Sequence, residues 1–261
     1  MRALQIAASG MSAQQMRVEV ISNNLANMST TGYNPRRAEF ADLHYQQMTR
    51  PGTINATDGT QIPAGVQLGL GVRPTAVTVN LSQGSLSATG GDLDVAIDGA
   101  GYLEVTLPSG ISAYTRDGGL KRSGDGEIVT SDGYPVVPAM TIPDDARAIA
   151  INADGEVYAY FNDQVDAQLL GQFTLANFTN DKGLEAVGSN LFLETGASGP
   201  PNVNTPGQDS LGTLRQGYLE ESSVDPVREI TELIKAQRGY ELNAKVISAA
   251  DQMLGATTQV R

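Results

Sequence analysis

The chain has 261 residues, 40% of them hydrophobic, with a formal net charge of −12, no cysteine and one histidine, His44. That length allows one or two domains with a sizeable core. The residue counts exclude a disulfide framework, a thiol nucleophile, a thiolate zinc site and a His-based metal triad within one subunit. The acidic balance offers no basic stripe for phosphates, which excludes nucleic acid as a partner.

The first segment, Met1 to Met28, carries apolar residues at helical spacing: Leu4, Ala7, Met11, Val18, Ile21, Leu25 and Met28, with Gln14 as a polar break. Ser29-Thr30-Thr31-Gly32 and then Asn34-Pro35 stop that helix. The stretch after Arg2 is too polar for the core of a secretory signal. Nor does any stretch approach the ~20 apolar residues of a membrane span, so direct membrane insertion is not expected. Residues 32–74 read as an extended arm or hairpin, because Pro and Gly breaks interrupt them and Leu68, Leu70 and Val72 alternate as in a short strand.

From about Thr75 a period of two takes over. It runs through Val77, Val79 and Leu81, then Leu93, Val95 and Ile97, then Leu103, Val105 and Leu107, with glycine-rich breaks between. Asp125-Gly126 and Asp132-Gly133 are turn dipeptides flanked by strand-like runs. Further strands are expected at Ile149–Ile151, Val157–Phe161 and Leu169–Phe178, whereas Asn180–Gly217 reads as a looser surface excursion. The pattern predicts a mainly antiparallel β domain over residues 75–221.

The last segment predicts a second helix, with Asp225 as N-cap and Pro226 as its first residue. Leu233, Tyr240, Ile247 and Leu254 recur seven apart, and Ile230 and Ala244 hold companion positions. Gln237 and Asp251 interrupt the stripe, and Gly239 costs about 1 kcal/mol relative to alanine. Each end segment would be about 45 Å long at 1.5 Å per residue. Residues 1–31 carry +1 and residues 222–261 carry 0, which leaves −13 for residues 32–221. Neutral ends and an acidic middle suit termini that crowd together while the middle faces solvent. The fold class is therefore α+β: terminal helices forming a coiled-coil-like layer, with an inserted β domain. Residues 1–31 and 222–261 form the helical assembly part. The expected subunit interface is Leu4, Met11, Val18, Ile21 and Leu25 with Ile230, Leu233, Tyr240, Ala244, Ile247 and Leu254.

Little in the chain suggests chemistry. Asp92 and Asp94, two apart, could serve as paired carboxylates in a β-fold glycan hydrolase, although Gly90-Gly91 beside them favours a turn. Asn152-x-Asp154-Gly155 and Ser123-x-Asp125-Gly126 lack the later glutamate of a calcium loop. Gly69-x-Gly71 has no helix after it and is no dinucleotide fingerprint. No catalytic residue, metal or cofactor is expected.

Ser22 to Asn27 (SNNLAN) followed by Thr30 to Tyr33 (TTGY), together with the C-terminal heptad helix, resembles the axial proteins of the bacterial flagellum. Ala113 to Pro138 resembles the motif shared by rod and hook proteins of that family. The arm Arg50–Val77, the run Gly188–Pro201 and the segment Gln216–Ile247 resemble the distal rod subunits most, and the resemblance spans nearly the whole chain. Ser29 and Ser223 stand where relatives often have asparagine, and Gly239 where alanine is usual. The motif residues that carry the likeness are Asn23, Asn24, Asn27, Thr31, Gly32 and Tyr33.

The resemblance implies a non-enzymatic subunit of the basal body, assembling with copies of itself into a hollow helical tube that carries torque from motor to hook. Proximal rod proteins, the hook protein and the ring proteins of the outer membrane and peptidoglycan would be its partners. It also implies type III export without a cleaved signal. A proximal rod or hook subunit is the nearest alternative.

Overall fold

The computed structural model describes residues 2–50, 64–162 and 166–259. The remainder of the expected arm, residues 51–63, lies outside the described residues. The chain divides into two compact units, residues 1–26, 36–79 and 225–261 in one, and residues 27–35 and 80–224 in the other.

The first unit pairs the two ends of the chain. Helix α1 (Arg2–Ala26) packs against helix α2 (Pro226–Gln259). Asp225 caps α2 as its residue type predicts, its Oδ1 accepting from the Val227 and Arg228 amides at 3.0 and 3.2 Å. Strand β1 (Arg36–Asp42) runs antiparallel to β4 (Val72–Val79), and β2 (Tyr45–Thr49) to β3 (Val66–Gly69). Pro74 stands opposite Phe40 where the β1–β4 register shifts, which is how a residue without an amide proton is tolerated in a ladder. The run Val72–Val79 therefore belongs with the helices, and the β body starts at residue 80 rather than near 75. At Gly71, φ is +120° and a Cβ would lie 2.3 Å from Ser9 Oγ. That hydroxyl accepts the Val72 amide at 3.3 Å, holding the ribbon to α1.

The second unit is built from short antiparallel strands. These are β5 (Leu86–Ala88), β6 (Val95–Asp98), β7 (Tyr102–Thr106), β8 (Ser112–Thr115), β9 (Lys121–Arg122) and β10 (Ile128–Val129). They continue as β11 (Ala146–Ile151), β12 (Glu156–Phe161), β13 (Gln168–Gln172), β14 (Leu175–Asn177), β15 (Glu185–Gly188) and β16 (Leu191–Leu193). Last come β17 (Asn202–Asn204), β18 (Thr213–Gln216) and β19 (Tyr218–Glu220). Six of them form one sheet in the order β15-β16-β8-β7-β14-β17, and three more form the sheet β11-β12-β13. The pairs β9–β10, β18–β6 and β19–β5 complete the unit.

Both faces of the six-stranded sheet are covered. Leu103, Val105, Ala113, Leu175 and Leu191 point into the main core with Ile128, Val136, Val157 and Phe173. Alternate residues Tyr102, Tyr114 and Ala176 point the other way and pack with Phe178. Tyr114 and Phe178 meet edge to face at 4.8 Å between centroids. Burial pushes the Tyr114 phenol up to about 12, with Glu104 and Glu194 adding to the shift. The segment expected to be loose, Asn180–Gly217, contributes β15 to β18 instead. Strands of three or four residues are too short to show their period in sequence.

Candidate assembly surface and motif anchors

The two helices meet on small and polar residues. A Cβ added at Gly10 would lie 2.9 Å from Asn243 Nδ2, and one at Gly239 would lie 3.2 Å from Gln14 Cδ. Further along, Asn24 Nδ2 donates to Glu229 Oε2 at 3.1 Å. Going up α1 from Gly10 through Gln14 to Asn24, the partners descend α2 from Asn243 through Gly239 to Glu229, so the helices run antiparallel. Ala7, Ala13, Ile21 and Asn24 are buried on α1, as are Ala236 and Ala250 on α2.

This seam differs from the apolar stripes read in the sequence. On α1 the expected stripe shares Ala7, Gln14 and Ile21 with it. Ile21 is buried, while Leu4, Met11, Val18 and Leu25 are half-buried. On α2 the stripe sits one position after the seam residues, about 100° around the helix. Leu233, Ala244 and Ile247 are half-buried, whereas Ile230, Tyr240 and Leu254 are 46%, 45% and 40% exposed. Val227, Ile234, Leu242, Val246 and Met253 are also exposed, so α1 leaves most of the large apolar side chains of α2 uncovered.

The signature residues Asn23 and Asn24 lie in the last turn of α1. Asn23 is exposed. Asn24 is 1% exposed and grips the backbone of Arg36 from both sides: its Oδ1 accepts the Arg36 amide at 2.8 Å, and its Nδ2 donates to the Arg36 carbonyl at 2.9 Å. A side-chain amide carries an acceptor and two donors on one plane, which lets Asn24 serve both Arg36 groups and Glu229 at once.

The rest of the signature works within the β unit. Asn27 accepts Thr30 at both its backbone and side-chain oxygens, each at 3.2 Å. The Thr31 carbonyl accepts from Asn190 Nδ2. Gly32 has φ +65° and donates to the Glu220 carbonyl at 2.8 Å, and a Cβ there would lie 3.0 Å from the Arg116 carbonyl. Glycine is thus required on two counts, conformation and close approach. The Tyr33 amide donates to the Thr30 carbonyl at 3.2 Å, and its carbonyl accepts the Ser223 amide at 3.1 Å.

Arg116 and Glu220, which the sequence reading did not single out, form a buried ion pair at 2.9 Å with side chains 9% and 2% exposed. Arg116 also donates to the carbonyls of Gly101 and Gly99 at 3.2 and 3.0 Å, and Glu220 Oε1 accepts the Gly84 amide at 3.0 Å. A buried charge pair is tolerable when its remaining hydrogen-bonding capacity is filled in this way. The residues are 104 apart in sequence, so no local pattern announces them. A cavity of about 260 Å³ lies beside Arg116, lined also by Asn34, Gln83, Tyr102 and Asp181, but the guanidinium is committed to Glu220 and the two carbonyls.

Asp92 and Asp94 do not form a paired site. Asp92 lies in a turn, where its carbonyl accepts Gln216 Nε2 at 2.7 Å, while the Asp94 carboxylate accepts the Thr89 hydroxyl. Nearby Asp117 Oδ1 accepts the Gly119 amide at 3.0 Å. Burial raises the Asp117 carboxyl above its ordinary value, Asp132 and Asp94 push the same way, and Gly119 and Lys121 oppose them. His44 is exposed. Among the described residues no cluster of three His, Cys, Asp or Glu could hold a metal, and no helix is long and apolar enough to cross a membrane.

The described residues form chain-end helices around an inserted antiparallel β body, and most of the signature's polar groups named above hold backbone. Residues 4–34 match the flagella basal body rod protein family, and residues 96–159 the D1 domain of the flagellar hook protein FlgE/F/G group. Residues 215–260 match the C-terminal part of the flagellar basal body rod FlgEFG proteins. The chain is 52% identical to the flagellar basal-body rod protein FlgG of Caulobacter vibrioides over 261 residues, the full length of both. It is 44% identical to that of Borreliella burgdorferi over 100% of this chain and 99% of the other. With that of Bacillus subtilis it shares 37% over 97% of each. The chain belongs to the flagellar basal-body rod protein family and is a structural subunit of the rod, placed in the flagellar basal body with other flagellar components.

Two variants check these anchors. Asn24→Ala orphans the Arg36 amide and carbonyl and is expected to cost about 1–3 kcal/mol in thermal unfolding. Asn24→Asp should cost more at neutral pH, because it sets a carboxylate against the Arg36 carbonyl and Glu229. For Asp117 the sign is opposite to that of a salt-bridged carboxylate. Its folded pKa is raised, so its favourable contribution is complete below the unfolded value of 3.8 and is lost as pH rises through the folded one. Asp117→Asn should therefore raise Tm at pH 7, and the gain should shrink to nothing as pH falls below 3.8. A melting series of both proteins across that range reads it.

Proposed function

We propose that this chain is a subunit of the distal rod, assembling with copies of itself into a hollow helical tube that transmits torque from motor to hook. The observation that carries this reading is the uncovered apolar surface of α2: Val227, Ile230, Ile234, Leu242, Val246 and Met253 are all exposed in the single subunit. Each side chain of that size contributes about 1.5–3 kcal/mol when fully covered. Neighbouring copies supply that cover in an inner helical layer. The expected interface of Leu4, Met11, Val18, Ile21 and Leu25 with Ile230, Leu233, Tyr240, Ala244, Ile247 and Leu254 belongs to this proposal. The charge of −13 over residues 32–221 supports an outward β body that keeps free subunits apart in solution. Proximal rod proteins, the hook protein and the rings of the outer membrane and peptidoglycan are the proposed neighbours. Export through the flagellar type III apparatus belongs to the same proposal.

Ile230→Asp tests the assembly surface. Ile230 is exposed, so the variant subunit is expected to keep its helical content and Tm. It should form no tubes, because an unpaired carboxylate in a packed layer is costly. Normal polymers and normal motility in cells carrying only this variant would overturn the inner-layer assignment. Localising the tagged subunit along purified basal bodies decides between distal and proximal rod.

A further inference from the structure

The geometry points to a register lock in the helix pair, made by reciprocal glycine–amide contacts rather than by the apolar stripes. Gly10 of α1 receives Asn243 of α2, and Gly239 of α2 receives Gln14 of α1. Each helix therefore contributes one glycine and one side-chain amide, four residues apart. Asn24 and Glu229 make a third contact by hydrogen bond. In all three pairs the residue numbers add to the same total, 253, so one antiparallel register is kept from Gly10 to Asn24. The same register places the fully buried Ala236 opposite Arg17 and the buried Ile21 opposite Glu232. Consistent with that placement, Arg17 is among the charges that hold the Glu232 carboxyl below its ordinary value, after its main partner Lys235.

Alternating small and large apolar residues would let such a pair slide by a heptad at little cost. Amides and glycines do not, since a slip drives Gln14 or Asn243 against a residue that has a Cβ. Polar groups at seam positions fix register at some cost in stability. The effect is to determine which residues of α2 face outward. Gly239 is then a seat for Gln14, and its weakness as a helix former is incidental. The lock lies within one subunit and holds whether or not copies assemble as proposed above.

The chain has no cysteine, so register can be read by disulfide closure in the full-length, dilute subunit. The pair Ala7→Cys with Val246→Cys reports the native register. The pair Ala7→Cys with Met253→Cys reports a slip of one heptad, about 10 Å along the axis and beyond the reach of a disulfide. With the native seam the first pair is expected to close at least ten times faster. With Gln14→Leu and Asn243→Leu the two rates should come within about threefold of each other, while Tm does not fall. Should the leucine pair lower helical content, alanine at both positions gives the same comparison. A tenfold preference that survives these changes, or one absent from the native seam, would overturn the lock. In the former case register would belong to the β1–β4 ribbon and the chain connections.

Discussion

The close approach of α1 and α2 at Gly10 and Gly239 governs much of what the helical unit presents to its surroundings. Where a glycine faces an amide, the partner's side chain sits so close that even a Cβ on the glycine would crowd it. The large side chains lie to the flanks, and Ile230, Ile234 and Leu242 stay in contact with solvent. A pair built on the stripe read in the sequence would instead have covered Ile230, Tyr240 and Leu254, which are exposed here. Polarity on the seam and apolarity on the flank are thus two sides of one arrangement.

The β unit uses a different economy. Its six-stranded sheet is covered on both faces, by the main core on one and by Tyr102, Tyr114 and Phe178 on the other. Its polar interior is concentrated at Arg116 and Glu220, which tie Gly32, Gly84, Gly99 and Gly101 together through backbone groups. Three stretches far apart in the chain converge there. The TTGY signature reads in this light as an attachment point whose glycine has no alternative.

Much of this was legible beforehand. Capping by Asp225 follows from the chemistry of a short carboxylate before proline, and the hairpin at Asp125-Gly126 from the φ of +85° that glycine accepts. Strands with alternating core residues, such as Leu103 and Val105, appear where expected. The failures have local causes. Val77 and Val79 alternate like a body strand, but β4 is largely exposed and pairs with β1, so alternation did not reveal its partner. In Asn180–Gly217 the strands are too short for any period to emerge.

The order of residues alone determined the helix–strand–helix plan, the sharp ends of the helices, the acidic middle and the family signature. Each depends on chemistry within a few residues of itself, or on a plain sum of charge. Which face of α2 meets α1, and that Arg116 finds Glu220, were decided only in three dimensions. Helical periodicity identifies a stripe but not its partner, and a glycine that weakens an isolated helix can admit a side chain from another. Contacts between residues more than a hundred positions apart depend on the whole chain closing, and no local stretch contains that information.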